Sequence, residues 1–267
     1  MKLCFSTLGC VEKGWREISD LAARYGVEGL EIRGVGGTLD ATAVEEFSEK
    51  NATKTKEDMA NLGIRPIVLG TSCMLHSADL REAAIAEGKA AIAVASRLGI
   101  PYIRVFGNNI VGERESCILG VIEGLRSLCS LAKDCGICVL LEVHGDFNTL
   151  ENLSPVVDAM ASEPSFGLIW DVAHTHAPYG NNWAVFYEKM RPYIRHVHIK
   201  DKRNTGGLTM IGEGDVPFSA IAERMLGDGF DGYFSLEWER YWHTELLPIE
   251  NALDAFVRVF REQERGR

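Results

Sequence analysis

Short apolar runs alternate along the chain with longer stretches whose apolar residues recur every three or four positions. The runs at 3–7, 27–33, 64–69, 102–106, 137–143, 167–171, 194–199 and 233–236 read as strands. The 137–143 run is apolar almost throughout, as in a strand buried on both faces. Helical spacing between them predicts helices at 15–25, 41–62, 79–98, 113–133, 153–161, 183–190 and 218–226. Gly26, Gly63 and Gly99 stand where three of these end, and Pro101 adds a stop signal. A last helix would carry Ile249, Ala252, Leu253, Phe256, Val257 and Phe260 on one face. Eight strands alternating with eight helices call for a parallel sheet. With no evident linker, closure into one (β/α)8 barrel spanning 1–267 is favoured over an open sheet. No Gly-x-Gly-x-x-Gly follows the first strand, so a dinucleotide-binding fold loses its main sequence support.

Composition narrows the function classes. The 267 residues match the roughly 250 of such a barrel, and 46% hydrophobic with 25% charged residues is an ordinary globular balance. A net charge of −10 argues against a nucleic-acid or membrane-surface partner, because no broad basic face is available to neutralise phosphates. The N-terminus lacks a signal-like apolar core with a cleavage site, and no apolar run approaches about 18 residues, so the cytoplasm is the expected compartment. Seven cysteines scattered through apolar segments fit reduced thiols. Cys135 and Cys138 form Cys-Gly-Ile-Cys where a helix ends, whereas a redox pair of that spacing opens one, so no redox role is expected.

Candidate chemistry gathers at four strand ends: Leu-Leu-Glu-Val-His-Gly with Glu142, Ile-Trp-Asp-Val-Ala-His with Asp171, His-Val-His-Ile-Lys-Asp with His198, and Ser-Leu-Glu-Trp-Glu with Glu237. Each lies about one strand, helix and returning loop beyond the last, so parallel neighbours would bring all four to one end of the barrel. Alternation puts His144 on the face of Glu142, His196 on that of His198, and Ser235 and Glu239 on that of Glu237, leaving open which member of each set binds an ion. Three carboxylates and one imidazole suit Mn²⁺, Mg²⁺, Co²⁺ or Zn²⁺ with coordination positions left for substrate.

The order Glu, Asp with His three residues later, His-x-x-Asp, then Glu resembles the xylose-isomerase-like TIM barrels, a superfamily of sugar isomerases and epimerases, inositol-pathway enzymes and endonuclease IV. The resemblance runs from Gly-Val-Glu-Gly-Leu-Glu-Ile through Arg-Val-Phe-Gly to Gly-Glu-Gly-Asp-Val-Pro-Phe. It implies Glu142, Asp171, His198 and Glu237 as ligands of one divalent ion, Mn²⁺ foremost, and His174 as a hydrogen-bond partner of a sugar hydroxyl. It also implies Glu142 and Glu237 as an acid/base pair working through a cis-enediolate of a sugar or related hydroxy-carbonyl substrate. Returning the proton to the opposite face gives epimerisation, and returning it to the neighbouring carbon gives isomerisation. The ketose 3-epimerase branch has a glutamate and an arginine where this chain has Asn148 and Asn204, with Arg203 a loop shift away. The alternative is a lyase or dehydratase on an oxidised polyol, inosose dehydratase-like or C-glycoside-cleaving, with His144 as a second acid or base. Net charge and the four-ligand set oppose a DNA-repair endonuclease; a non-catalytic sugar-binding barrel is a further class.

Glu31, Arg33 and Arg104 are predicted to point inward, unusual for charged groups unless paired or at a site. A Glu31–Arg104 ion pair in the lower layers is expected. The functional alternative is an arginine near the mouth, Arg104 among them, gripping a substrate carboxylate or phosphate, with Lys200, Lys202 and Arg203 able to do likewise. Trp170, Tyr179, Trp183, Trp238, Tyr241 and Trp242 read mostly as packing. The cluster Tyr241, Trp242 and His243 is suited to a lid or to the subunit face of a homo-oligomer.

Overall fold

A computed structural model describes residues 1–265 and closes eight parallel strands into a barrel. They are β1 (Lys2–Ser6), β2 (Gly29–Ile32), β3 (Arg65–Met74), β4 (Tyr102–Phe106), β5 (Cys138–Glu142), β6 (Phe166–Asp171), β7 (Ile194–Ile199) and, after a hairpin of β8 (Asp201–Lys202) and β9 (Leu208–Thr209), β10 (Tyr233–Leu236). The barrel strands neighbour one another in chain order, and β10 seals the ring against β1 with Cys4 opposite Ser235. Outside lie α1 (Trp15–Tyr25), α2 (Ala52–Asn61), α3 (Ala78–Leu98), α4 (Arg114–Lys133), α5 (Leu150–Met160), α6 (Val172–Tyr179), α7 (Trp183–Met190), α8 (Phe218–Gly227) and α9 (Ile249–Arg265). No helix among the described residues is long and apolar enough to cross a membrane.

Local signals set these bounds. Gly26 and Gly99 take left-handed φ values of 63° and 72°, letting Val27 N–H reach Ala22 O at 3.0 Å and Ile100 N–H reach Ala95 O at 2.8 Å. The orphan carbonyls of α1 and α3 are thereby satisfied. On α9, Ile249, Ala252, Leu253, Phe256 and Phe260 are all buried, and Phe260 meets Phe218 of α8 and Phe234 of β10 at 5.8 and 5.9 Å.

The stretch expected as one helix at 41–62 is instead two 3-10 turns, Ala41–Ala43 and Glu45–Phe47, followed by α2. Asp40 accepts from Thr42 N at 2.9 Å and starts the first turn. Phe47 is pulled into the core, its ring edge-on to Trp15 at 5.1 Å. Burying that ring outweighs the weak helical preference of a largely polar segment. Strand β3 runs past its expected end at 69 to Met74, with its pairing to β4 shifted after Gly70 and Thr71 Oγ1 donating to Arg104 O at 2.6 Å.

The interior of the barrel has two characters. Cys4, Ile67, Val68, Leu140, Ile169 and Tyr233 form an apolar cluster separate from the larger core that lies between strands and helices. Two residues further along three of these strands, the inward positions become Glu142, Asp171 and Ser235. The inside therefore changes from a packed plug to a charged site toward the carboxyl ends of the strands, where barrels of this kind carry chemistry.

Candidate metal centre

Glu142 ends β5, Asp171 ends β6, His198 lies on β7 and Glu237 follows β10, and all four are buried. Each offers one ligand atom, and these atoms lie within 4.8 Å of one another. Nδ1 of His198 stands 3.3 Å from Glu237 Oε2, 3.8 Å from Glu142 Oε1 and 3.9 Å from Asp171 Oδ2. Such spacings suit atoms sharing one cation through bonds of about 2.0–2.2 Å.

The surroundings fit a cation as well. Nε2 of His198 is 2.9 Å from Glu31 Oε2, an oxygen that also meets His196 Nε2 at 3.0 Å and accepts from Ser235 Oγ at 3.2 Å. A proton held on that side leaves Nδ1 a lone pair facing three carboxylates, which is repulsive until a positive charge stands between them. Nδ1 of His198 is buried and has no hydrogen-bond partner, while Asp171 Oδ2 meets the Lys200 ammonium at 2.8 Å. Burial alone would lower the His198 pKa, but Glu237, Glu31 and Glu142 hold it well above the usual imidazole range. The site thus draws positive charge strongly.

Asp171 does two jobs. Its Oδ1 accepts from Ala173 N and His174 N, both at 2.9 Å, capping α6, a helix that the sequence pattern did not anticipate. Its other oxygen faces the ligand cluster. The cap turns His174 back over the mouth, its ring centroid 4.2 Å from His144 and its Nε2 3.9 Å from Asp171 Oδ2. Burial holds the His174 imidazole below its ordinary pKa, so it presents a neutral ring that donates at one nitrogen and accepts at the other.

Two cations complete the centre. Arg104 Nη1 lies 3.0 Å from Glu142 Oε2 and 3.4 Å from Glu237 Oε1, while Nη2 donates to Thr71 O at 3.0 Å. Lys200 Nζ sits 2.8 Å from Asp171 Oδ2 and 2.7 Å from Glu237 Oε2 and also contacts Glu239. Burial would raise the Glu142 carboxyl, yet Arg104 and His198 keep it below the usual range. Glu237 is held well below it by His198 and Lys200, again against burial. A cavity of about 350 Å³ opens above, bounded among others by Arg33, Ser72, His144, Lys200, Glu239 and Trp242.

Some expectations change. Glu31 and Arg104 do not pair: Glu31 holds His196 and His198, and Arg104 is drawn up to Glu142 and Glu237. Arg203 is exposed on the β8–β9 hairpin and lies outside the cavity, because Asn204 N is tied to Asp215 Oδ2 at 2.8 Å and that turn faces solvent. The His144 ring lies edge-on against Phe106 at 5.3 Å, while the neighbouring Asp146 Oδ2 accepts from Ile110 N at 2.7 Å. Asn204 Oδ1 meets His176 Nε2 at 3.0 Å, and Asn148 Nδ2 donates to His174 O at 3.0 Å, so both asparagines brace the rim. Lys200, read as one of three equivalent loop cations, is a buried member of the centre; its parity with His196 and His198 was the available signal. All seven cysteines are free, and burial pushes the Cys138 thiol up to about 11, against a redox pair with Cys135.

Among known proteins, the fructoselysine 3-epimerase of Shigella flexneri is 25% identical, over 96% of this chain and 95% of that protein. Similar solved structures include a D-tagatose 3-epimerase-like protein (TM-score 0.80, 21% identity, 99% of this chain and 97% of that one). Another is the IolI protein with a bound zinc atom (TM-score 0.80, 20% identity, 98% of each chain). At such identities these structures speak for the fold alone. The family model described as xylose isomerase-like TIM barrel matches residues 19–263, and this chain, with its closed eight-stranded barrel, belongs to that family.

Proposed function

We propose that this chain, working as one barrel domain, is a divalent-metal-dependent epimerase or isomerase of a sugar or related hydroxy-carbonyl compound. The observation that carries the reading is the pairing of Glu142 and Glu237, two buried carboxylates at the ends of separate strands held by the same Arg104 nitrogen at 3.0 and 3.4 Å beside His198. The similarity to a fructoselysine 3-epimerase along nearly the whole chain supports it. Glu142, Asp171, His198 and Glu237 would hold the ion, Mn²⁺ being the first choice for so oxygen-rich a set. When bound, it polarises the substrate carbonyl and acidifies the neighbouring C–H.

The chain's own groups do the rest. One of the two glutamates takes the proton from the carbon beside the carbonyl, and Arg104 balances the charge that shifts between them. The other glutamate takes a proton from solvent and delivers it from its own side, inverting the centre, and the first glutamate releases its proton to solvent to restore the starting state. His174, neutral and half-buried at the rim, orients a substrate hydroxyl. The substrate is a small molecule free in the cytoplasm, and neither nucleic acid nor membrane takes part.

Loss of water is the second reading, favoured by His144: it lines the cavity with Glu142, and its buried Nδ1 has no partner, placing a spare acid or base beside a leaving hydroxyl. Incubation with Mn²⁺ and a panel of ketoses and inososes in D₂O separates the two. Deuterium uptake at unchanged composition supports epimerisation or isomerisation; a product lighter by water supports the lyase; no exchange with any member of the panel refutes both.

A further inference from the structure

Resting on the sugar reading above, we propose that the substrate carries a carboxylate, received on the β2–β3 side of the cavity by Arg33 with Ser72. Arg33 directly follows β2, and Ser72 lies on β3; in the ring these strands stand across from β6 and β7, which carry Asp171 and His198. A substrate anchored there would span the mouth toward the candidate metal centre.

Arg33 differs from the other two cations that line the cavity. Arg104 meets two carboxylates and a backbone carbonyl and lies over the Phe106 ring at 4.3 Å. Lys200 meets three carboxylates. Arg33 is only 6% exposed, yet it forms no ion pair with any carboxylate among the described residues. Its side chain makes one hydrogen bond, from Nη2 to Ser72 Oγ at 2.7 Å, and its buried Nη1 has no partner. A guanidinium offers five N–H donors, and taking one out of water without an anion is costly. Glu87, the acid on this side, is turned to Ser72 N at 2.6 Å.

Room has been left for this arrangement. A Cβ on Gly70 would come within 2.8 Å of Arg33 Cδ and 3.4 Å of Arg104 Nη2, so glycine there lets both arginine stems pass. The unmatched charge is a single one, since Arg104 and Lys200 are already spent on the centre's own acids. One guanidinium and one hydroxyl suit a carboxylate; a phosphate dianion would leave a second negative charge among Glu142, Glu237 and Glu239 without a counter-ion.

The test uses ligands without a carbonyl, so binding is read apart from turnover. Calorimetric titration of Mn²⁺-loaded protein compares D-gluconate, D-glucitol and D-glucitol 6-phosphate. Gluconate is expected to bind about tenfold or more tightly than glucitol, a typical gain for a charge-assisted pair. Arg33→Gln should erase that preference, Arg33→Lys should keep part of it, and Ser72→Ala should weaken gluconate alone. Equal affinity for acid and polyol in the wild-type protein overturns the proposal even if the Arg33 variants fail to fold. A preference that survives Arg33→Gln overturns it too, and tighter binding of the phosphate than of gluconate overturns the carboxylate assignment. A protein that turns over no sugar but shows the Arg33-dependent preference loses the epimerase reading while this site stands. Turnover of neutral ketoses with no such preference leaves the epimerase reading and removes this one.

Discussion

The two ends of the barrel interior obey opposite rules. At the lower end Cys4, Ile67, Leu140, Ile169 and Tyr233 fill the space with apolar side chains that need only the right volume. Two residues higher on three of these strands, Glu142, Asp171 and Ser235 replace them, and there each group's partner matters more than its size. Glu31 is buried, but His196, His198 and Ser235 satisfy one of its oxygens. Burial of acids is tolerated here because opposite charges are interleaved with them, and the plug beneath holds the strands that carry them in register.

The contrast is broken most sharply at Glu142. Glu142→Gln should lower turnover by about a hundredfold to ten-thousandfold and weaken Mn²⁺ binding, measured by D₂O exchange and metal titration. Cys135→Ser, at an exposed position in the turn that precedes β5, should change neither quantity. Full activity in the glutamine variant would remove Glu142 from both roles. The lower end answers to a different probe: Leu140→Ala should cost about 2–5 kcal/mol in urea unfolding, because a filled layer loses methyl groups it cannot replace. A cost near zero would mean that the plug collapses freely and does not hold the strands. Glu31→Gln sharpens the comparison further. It keeps the shape but withdraws the charge behind His198, and about a 10- to 100-fold loss of metal affinity is expected, with little change in the unfolding midpoint of the metal-free protein. Unchanged affinity would show that His198 needs no such support.

Periodicity made the barrel readable, because buried parallel strands and amphipathic helices leave apolar patterns of different period. It also made the centre readable by parity: His196, His198 and Lys200 share one face of β7 and its extension. Pairing between strands was less accessible. Whether Arg104 meets Glu31 or Glu142 depends on how high its side chain climbs, and alternation along β4 is the same in either case. Short elements escaped for a related reason. Helix α6 is started by one side chain, Asp171, capping two amides, and the β8–β9 hairpin is tied by Asp201, whose Oδ2 accepts from Gly212 N and Gly214 N at 2.9 Å each. Neither leaves a repeating apolar signature.

The double duty of Asp171 limits what can replace it. Glutamate ligates divalent ions as readily as aspartate, but its extra methylene carries the carboxylate past the amides of residues 173 and 174 that the present side chain ties at 2.9 Å. Positions 142 and 237 start no helix and escape this restriction. Drift between the two acids should therefore be tolerated there sooner than at 171, where one lengthened side chain would unseat both a proposed ion ligand and the segment bearing His174.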